Sequence, residues 1–477
     1  MPLVGPNTEG FRTLLKKRNF LRLWLAQLLS MTILNASNYA LLILIEDQTH
    51  STTLIGLAII SFSLPAILFG APAGVLVDHM HKRRVLWVSN CLRAIATLLF
   101  VVVLILNPPG LLLPIYVLTF IISSIGQFFA PAEGAAIPIL VTEDELTPAL
   151  SLFNVTFMLS QALGFVLFAP ILLSVLPTFN VFQIPFNAII QLYMLVSVLY
   201  LVCAILILSI PEHSFKLLPN ADTSLAPPIN SQTIGALDNM RKEMWEGWRF
   251  IRTNKQLFQA VIQLSYAGVL LLVIGQLATP IVTQLLGLPA TAMAFVFAPA
   301  GIGLVVGSVL MPRIMHRLER SRAIFIGIVT ITIVTLLIPS FTILAKFLQP
   351  TTWNNNPLLS LAVALLMFFA GFGLDFINIP AQATMQALSP DWIKGRVLSL
   401  QLVLYNALSI PIILFIGGMS DLYGIRHVLY LLAVGEIAFG LWGIYYEHKH
   451  PLELITANGQ SSARLMRENK SENVHLY

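Results

Sequence analysis

Gly74-Val75-Leu76-Val77-Asp78-His79-Met80-His81-Lys82-Arg83-Arg84 breaks an otherwise apolar run that extends from residue 52 to residue 106. Its flanks, 52–77 and 84–106, are each long enough for a membrane-spanning helix, which takes about 20 to 25 residues. The stretch therefore reads as a short loop between two spans. Gly74 permits close helix contact, and Asp78 sets an anion at a helix end, where a facing helix N-terminus or a basic side chain pairs with it. Lys82, Arg83 and Arg84 are the cluster that holds such a loop on the cytoplasmic side. The composition agrees. Of 477 residues, 57% are hydrophobic and only 10% are charged. Soluble globular chains average about 25% charged, and a surface this poor in polar side chains aggregates in water. A soluble domain, a disordered chain and a disulfide-built scaffold are excluded.

Working outward, Pro, Gly and charge clusters divide the apolar sequence into twelve segments: 20–45, 52–77, 84–106, 112–137, 147–177, 187–210, 257–286, 290–315, 322–346, 358–386, 395–420 and 424–447. They are helices, because a bilayer core offers backbone groups no water and a barrel needs about 10-residue runs of alternating polarity. The run after Arg22 is too long for a signal-peptide core and is the first span. With the N-terminus inside, all but four of the 27 basic residues fall in cytoplasmic segments. Arg22 and Arg93 lie in spans, and Lys346 and Arg426 lie outside. Both termini are expected in the cytoplasm, although the acidic loop Thr142-Glu143-Asp144-Glu145 is then inside as well. Cys91 and Cys203 lie in spans and form no disulfide framework or metal-type spacing.

Residues 211–256 interrupt the apolar pattern. Pro219, Pro227 and Pro228 among Asn, Asp and Ser make 218–231 a flexible linker. Leu237, Met240, Met244, Trp248 and Ile251 then recur at helical spacing, as in an amphipathic helix on the membrane surface or one packed on the bundle. The expected organisation is an N-terminal segment 1–19, a six-helix bundle 20–210, the linker 211–256, a second bundle 257–447 and a tail 448–477. The bundles echo each other: Pro131-Ala132 recurs as Pro380-Ala381, Ser151-Leu152 as Ser399-Leu400, and the Gly74–Arg84 loop, more weakly, as Gly307–Arg317 without an Asp. Parallel six-helix repeats with a site between them are a transporter plan.

The 74–84 loop resembles the G-x-L-x-D-R-x-G-R-R motif of the major facilitator superfamily, with His79 and His81 in place of the usual Arg and Gly. The resemblance implies an all-α fold of twelve transmembrane helices in two six-helix pseudo-repeats. It also implies a conformational latch formed by Gly74, Asp78, Lys82, Arg83, Arg84 and, at the start of span 11, Arg396. That latch holds the outward-open state. Glu246-Gly247-Trp248-Arg249-Phe250-Ile251-Arg252, Gly395-Arg396-Val397, and Gly417-Gly418-Met419-Ser420-Asp421-Leu422-Tyr423-Gly424-Ile425-Arg426 are similar to the macrolide-efflux and siderophore-exporter branch. So are Asn19-Phe20 after Arg18 and the segment from Pro131-Ala132 through Leu146. That branch implies proton-antiport efflux. The Gly-Pro pair common in span 5 of such exporters is absent, since Gly164 and Pro170 stand apart.

A charge at mid-membrane costs roughly 2.5 to 3.5 kcal/mol on insertion scales, so each polar residue in a span is a functional candidate. Asp375 leads, with Asn378, Gln382 and Gln386 on the same face of span 10. It is read as cycling a proton, binding a cationic substrate, or packing helices as a paired carboxylate. Glu133, which the repeat aligns with Gln382, is a gate or proton candidate. Asn35, Asn38 and Gln127, with Gln263 and Tyr266 of span 7, are cavity candidates or interhelical bonds. Glu436 reads as partnered between helices, and Arg93 as snorkelling or interhelical.

The sequence carries no phosphate loop, nucleophile elbow or helical metal-ligand pair. The expectation is a non-enzymatic secondary transporter in the plasma membrane, a proton-coupled exporter of hydrophobic or amphiphilic small molecules. An importer, a lipid-type flippase and a non-transporting scaffold are the alternatives. Lipids, a small-molecule substrate and protons are the expected partners of a monomer, with no nucleic acid, cofactor or metal.

Overall fold

The computed structural model describes residues 13–449 except 79, 107–110, 182–183, 216–243, 316, 351–352 and 354–356. The first half holds α1 (Arg18–Thr49), α2 (Thr52–Asp78), α3 (Lys82–Leu106), α4 (Leu113–Leu140), α5 and α6 (Ala188–Leu208). Helix α5 runs as Glu143–Ala162, a π-helical stretch Leu163–Phe168 and a final stretch Ala169–Val175. A small antiparallel hairpin, β1 (Phe179–Val181) and β2 (Ile184–Phe186), joins α5 to α6. The second half holds α7 (Lys255–Pro280, extended by a π turn Ile281–Leu285), α8 (Met293–Met315), α9 (Arg320–Leu348), α10 (Pro357–Leu388), α11 (Asp391–Tyr423) and α12 (Ile425–Lys449). Eleven of these helices have the length and apolarity to cross a membrane among the described residues. The twelfth, α8, contributes the shorter apolar stretch Phe295–Met311. This is the all-α, six-plus-six architecture expected from the sequence.

The surface inverts that of a soluble protein. Leu98, Ile205, Phe325 and Leu441, on α3, α6, α9 and α12, are exposed, whereas Arg93, Glu133, Asp375 and Glu436 are buried. Lipid solvates the apolar rim, and helices satisfy their own backbone within it. The helix ends carry the capping chemistry. Asn187 and Asn254 accept backbone N–H groups three residues on, from Ile190 at 2.9 Å and Leu257 at 3.1 Å. Thr142 and Glu145 form a capping box at the start of α5. Glu145 also pairs with Lys17, which joins the acidic loop to the basic N-terminal segment on one face of the bundle. Arg83 to the Leu208 carbonyl (2.6 Å), Ser321 to Glu447 and Arg396 to Glu246 (3.0 Å) tie further loops together on this same basic face.

The linker 218–231 and the first part of the amphipathic pattern, through residue 243, lie outside the described residues, as does the tail from 450. The described remainder, 244–253, is helical and packs on α11. Ile251 is buried, and a Cβ on Gly247 would stand 2.7 Å from Leu400 Cδ1. Helices α8 and α10 meet through Gly303, Gly307 and Gly371. A Cβ on Gly371 would overlap the Ala300 carbonyl oxygen, and one on Gly303 that of Phe368. This is small-residue packing, which substitutes close backbone approach for a hydrophobic drive that lipid does not supply.

Candidate functional site

The polar residues of the first half gather around α1. Asn35 is half-buried and donates to the Met31 carbonyl at 2.9 Å. Asn38 lines a small cleft with Ser37, Phe100, Ser123 and Tyr193. Gln127 on α4 reaches back to the Ser123 carbonyl at 3.4 Å. Gly164, in the π-helical stretch of α5, lies against α1: a Cβ there would stand 2.6 Å from Asn35 Cβ and from the Thr32 carbonyl oxygen. An added residue in one helical turn is a frequent device at functional positions. Beside it, Thr32, Leu163, Leu167, Phe168, Ile171 and Leu172 line an apolar cleft of about 290 Å³.

Arg93 is fully buried and does not snorkel. Its guanidinium lies over the Phe129 ring at 4.7 Å and the Tyr200 ring at 5.1 Å, and donates to Ser30 Oγ at 3.2 Å. Four helices, α1, α3, α4 and α6, thus hold one cation. Glu133, one turn beyond Phe129, is buried with an Oε1 that has no hydrogen-bond partner among the described residues, and Arg93 is the charge that acts on it.

In the second half, Asp375 is 5% exposed and lies over Gly307 of α8. A Cβ on Gly307 would stand 2.7 Å from Asp375 Oδ2, an oxygen without a hydrogen-bond partner among the described residues. The glycine is what admits the carboxylate between α8 and α10. Below it Asn378 and Gln382 are half-buried and Gln386 is exposed, so the stripe opens toward the basic face. Gln263 and Tyr266 turn elsewhere. Gln263 accepts from Arg320 at 2.9 Å, and Tyr266 stacks on Phe439 of α12 at 3.6 Å. Glu436 accepts from Thr335 of α9 at 3.1 Å and stays inside the second half.

The two halves touch at the face opposite the basic loops. Gln276 of α7 donates through Nε2 to the Thr52 and Ile413 carbonyls, both at 3.0 Å, and so bridges α2 and α11. Glu46, at the end of α1, is fully buried and accepts from Thr283 and, at 3.3 Å, from Gln284. Ser51, Thr52 and Thr53 meet Ser420 and Asp421. On the basic face, a Cβ on Gly74, Gly134 or Gly395 would meet nothing within 4 Å. Lys82 caps the end of α2 through the Val77 carbonyl (3.0 Å), Arg84 is exposed, and Arg396 pairs with Glu246. Asp78 ends α2, and its side chain lies outside the described residues. Sequence reading passed over Glu46 and Gln276. The signal was present in Glu46-Asp47, an acidic pair abutting an unbroken apolar run.

Two six-helix halves around buried polar residues, joined at one face through Glu46, Gln276 and Asp421, define a membrane transporter. The chain belongs to the Major Facilitator Superfamily, whose family model matches residues 23–410. It is 27% identical over 252 residues to macrolide efflux protein A of Streptococcus pyogenes, covering 52% of this chain and 54% of that one. The match thus spans about half the length of that curated relative. An uncharacterized MFS-type transporter of Bacillus subtilis, YfiS, is 23% identical over 362 residues, 75% of this chain and 76% of its own. Among solved structures, a bacterial homologue of the iron transporter ferroportin in an inward-facing state superposes with a TM-score of 0.63 at 15% identity. That match covers 91% of this chain and 99% of the other.

Proposed function

We propose that the protein is a proton-coupled secondary exporter of hydrophobic or amphiphilic small molecules, acting as a monomer in the cell membrane with both termini in the cytoplasm. The observation that carries the reading is the polar seal between the halves, made by Glu46, Gln276 and Asp421 at the face opposite the basic loops. With the basic loops in the cytoplasm, this is the form that takes its cargo from the cell interior. The name of the streptococcal relative supports efflux. Asp375 and Glu133, like Glu46 and Glu436, each have a buried oxygen without a hydrogen-bond partner among the described residues, and Asp375 and Glu133 lie within spans α10 and α4. They are the groups assigned to proton exchange, because a neutral acid is far cheaper inside a membrane than its anion.

The test is accumulation of a fluorescent lipophilic cation and of a macrolide in cells that express the protein, with and without a protonophore. Wild type is expected to lower accumulation, and the protonophore to abolish the difference. D375N and E133Q are expected to lose at least about tenfold in driven efflux, a loss of roughly 1.4 kcal/mol in coupling. Efflux that persists at full rate in D375N removes Asp375 from the mechanism.

A further inference from the structure

Helices α2 and α11 run antiparallel across the boundary between the halves, and the C-terminal end of each carries the same pattern. Gly74-Val75-Leu76-Val77-Asp78 closes α2, and Gly417-Gly418-Met419-Ser420-Asp421 stands at the end of α11. Both are Gly-x-x-x-Asp, a glycine that admits a facing backbone followed one turn later by a carboxylate. The copy in α11 is engaged. A Cβ on Gly417 would stand 2.8 Å from Thr53 Cα, and Gly56 of α2 approaches Ile413 of α11 as closely from the other side. One turn on, Asp421 Oδ1 accepts the Thr52 backbone N–H at 2.7 Å. Its Oδ2 accepts the Thr53 N–H at 3.1 Å and the Ser51 hydroxyl at 2.7 Å. Thr52 and Ser420 add a hydroxyl pair at 3.0 Å.

The chemistry is that of a helix cap supplied in trans. The first N–H groups of a helix lack intrahelical acceptors, and the helix dipole favours an anion there. Asp421 serves α2 as an N-cap residue would, from some 370 residues away and from the other half of the molecule.

We infer that Asp421 is a positioning residue that latches the face opposite the basic loops by capping α2 across the boundary between the halves. The latch holds the halves together at this face and releases when α2 and α11 part at Thr52. The inference needs no particular substrate or coupling ion. A failure of the export reading leaves it standing, and its own failure leaves that reading standing.

The experiment is pairwise spin-label distance measurement on the full chain in nanodiscs, with Cys91 and Cys203 replaced by alanine. One label pair, at Leu113 and Phe347, reports the far face; a second, at Leu150 and Leu398, reports the basic face. In D421A the far-face distances are expected to lengthen and the basic-face distances to shorten, with the ratio of the two forms moving about tenfold, the worth of one charge-assisted hydrogen bond. D421N keeps the side-chain shape and one acceptor, and is expected to move the ratio in the same direction by less. It also serves should D421A fold poorly. Distributions unchanged from wild type in both variants, or both faces broadening together, would overturn the latch.

Discussion

Arg93 shows how a charge survives in an apolar bundle. A buried guanidinium is costly unless its surroundings stabilise it. Two aromatic faces and one hydroxyl do part of this, the ring faces by cation–π attraction. Glu133, buried one turn beyond Phe129, is the acid on which this charge acts. If the two act as a pair, removing either leaves the other uncompensated, and removing both does not. R93Q and E133Q are each expected to lower the melting temperature of the detergent-purified protein. The double variant is expected to lose less than the sum, with a coupling of at least about 1 kcal/mol. Strict additivity would separate the two residues. The sequence made both residues visible, because a charge in an apolar span stands out. It did not show which helix each one faces. Asp375 read as cycling a proton, binding a cation or packing helices, and the structure lays it over Gly307 of α8. Gln263 and Tyr266, read as cavity candidates or interhelical bonds, turn to Arg320 and Phe439. Side-chain direction on a uniformly apolar helix has no amphipathic stripe to reveal it, so only the partner helix decides.

At the scale of the element, the twelve helices lie within a few residues of their expected bounds, since lipid leaves no alternative to a helix and charge clusters punctuate the chain. The two features that escaped are local departures with tertiary causes. The hairpin of Phe179–Val181 and Ile184–Phe186 has strands of three residues, too short for an alternating pattern, and Phe179 and Phe186 close it by stacking at 5.8 Å. The π stretch Leu163–Phe168 has ordinary helix-compatible residues; it coincides with the place where Gly164 must reach the α1 backbone. That contact is testable. G164A would place its methyl 2.6 Å from the Thr32 carbonyl, a backbone atom that cannot swing aside. The expected cost is about 1–3 kcal/mol, read by thermal unfolding in detergent. G435A, on α12, has open space around the new methyl and is expected to be neutral or to stabilise by up to about 1 kcal/mol. Equal melting temperatures for the two variants would detach the π stretch from the packing of α1 and α5.

For the whole molecule, the sequence carried the six-plus-six plan and the sidedness of the loops, because both are written in charge and in repetition. It did not carry the state of closure, which depends on contacts between residues hundreds of positions apart. Those contacts also supply the means to stop the cycle. Thr52 and Ser420 face each other across the halves with their hydroxyl oxygens 3.0 Å apart, and a disulfide places its sulfurs about 2.05 Å apart on Cβ atoms about 3.5–4.5 Å apart. T52C/S420C, in the background without Cys91 and Cys203, is therefore expected to form a disulfide under mild oxidation with little backbone shift. Locked at this face, the protein can bind from the basic side but cannot open the other. Driven efflux is expected to fall at least about tenfold on oxidation and to return on reduction, while binding of the same amphiphile to the purified oxidised protein persists. Each single variant controls for loss of the hydroxyls alone. Full transport by a quantitatively crosslinked double variant would mean that α2 and α11 need not separate, and that these halves do not exchange access by rocking apart.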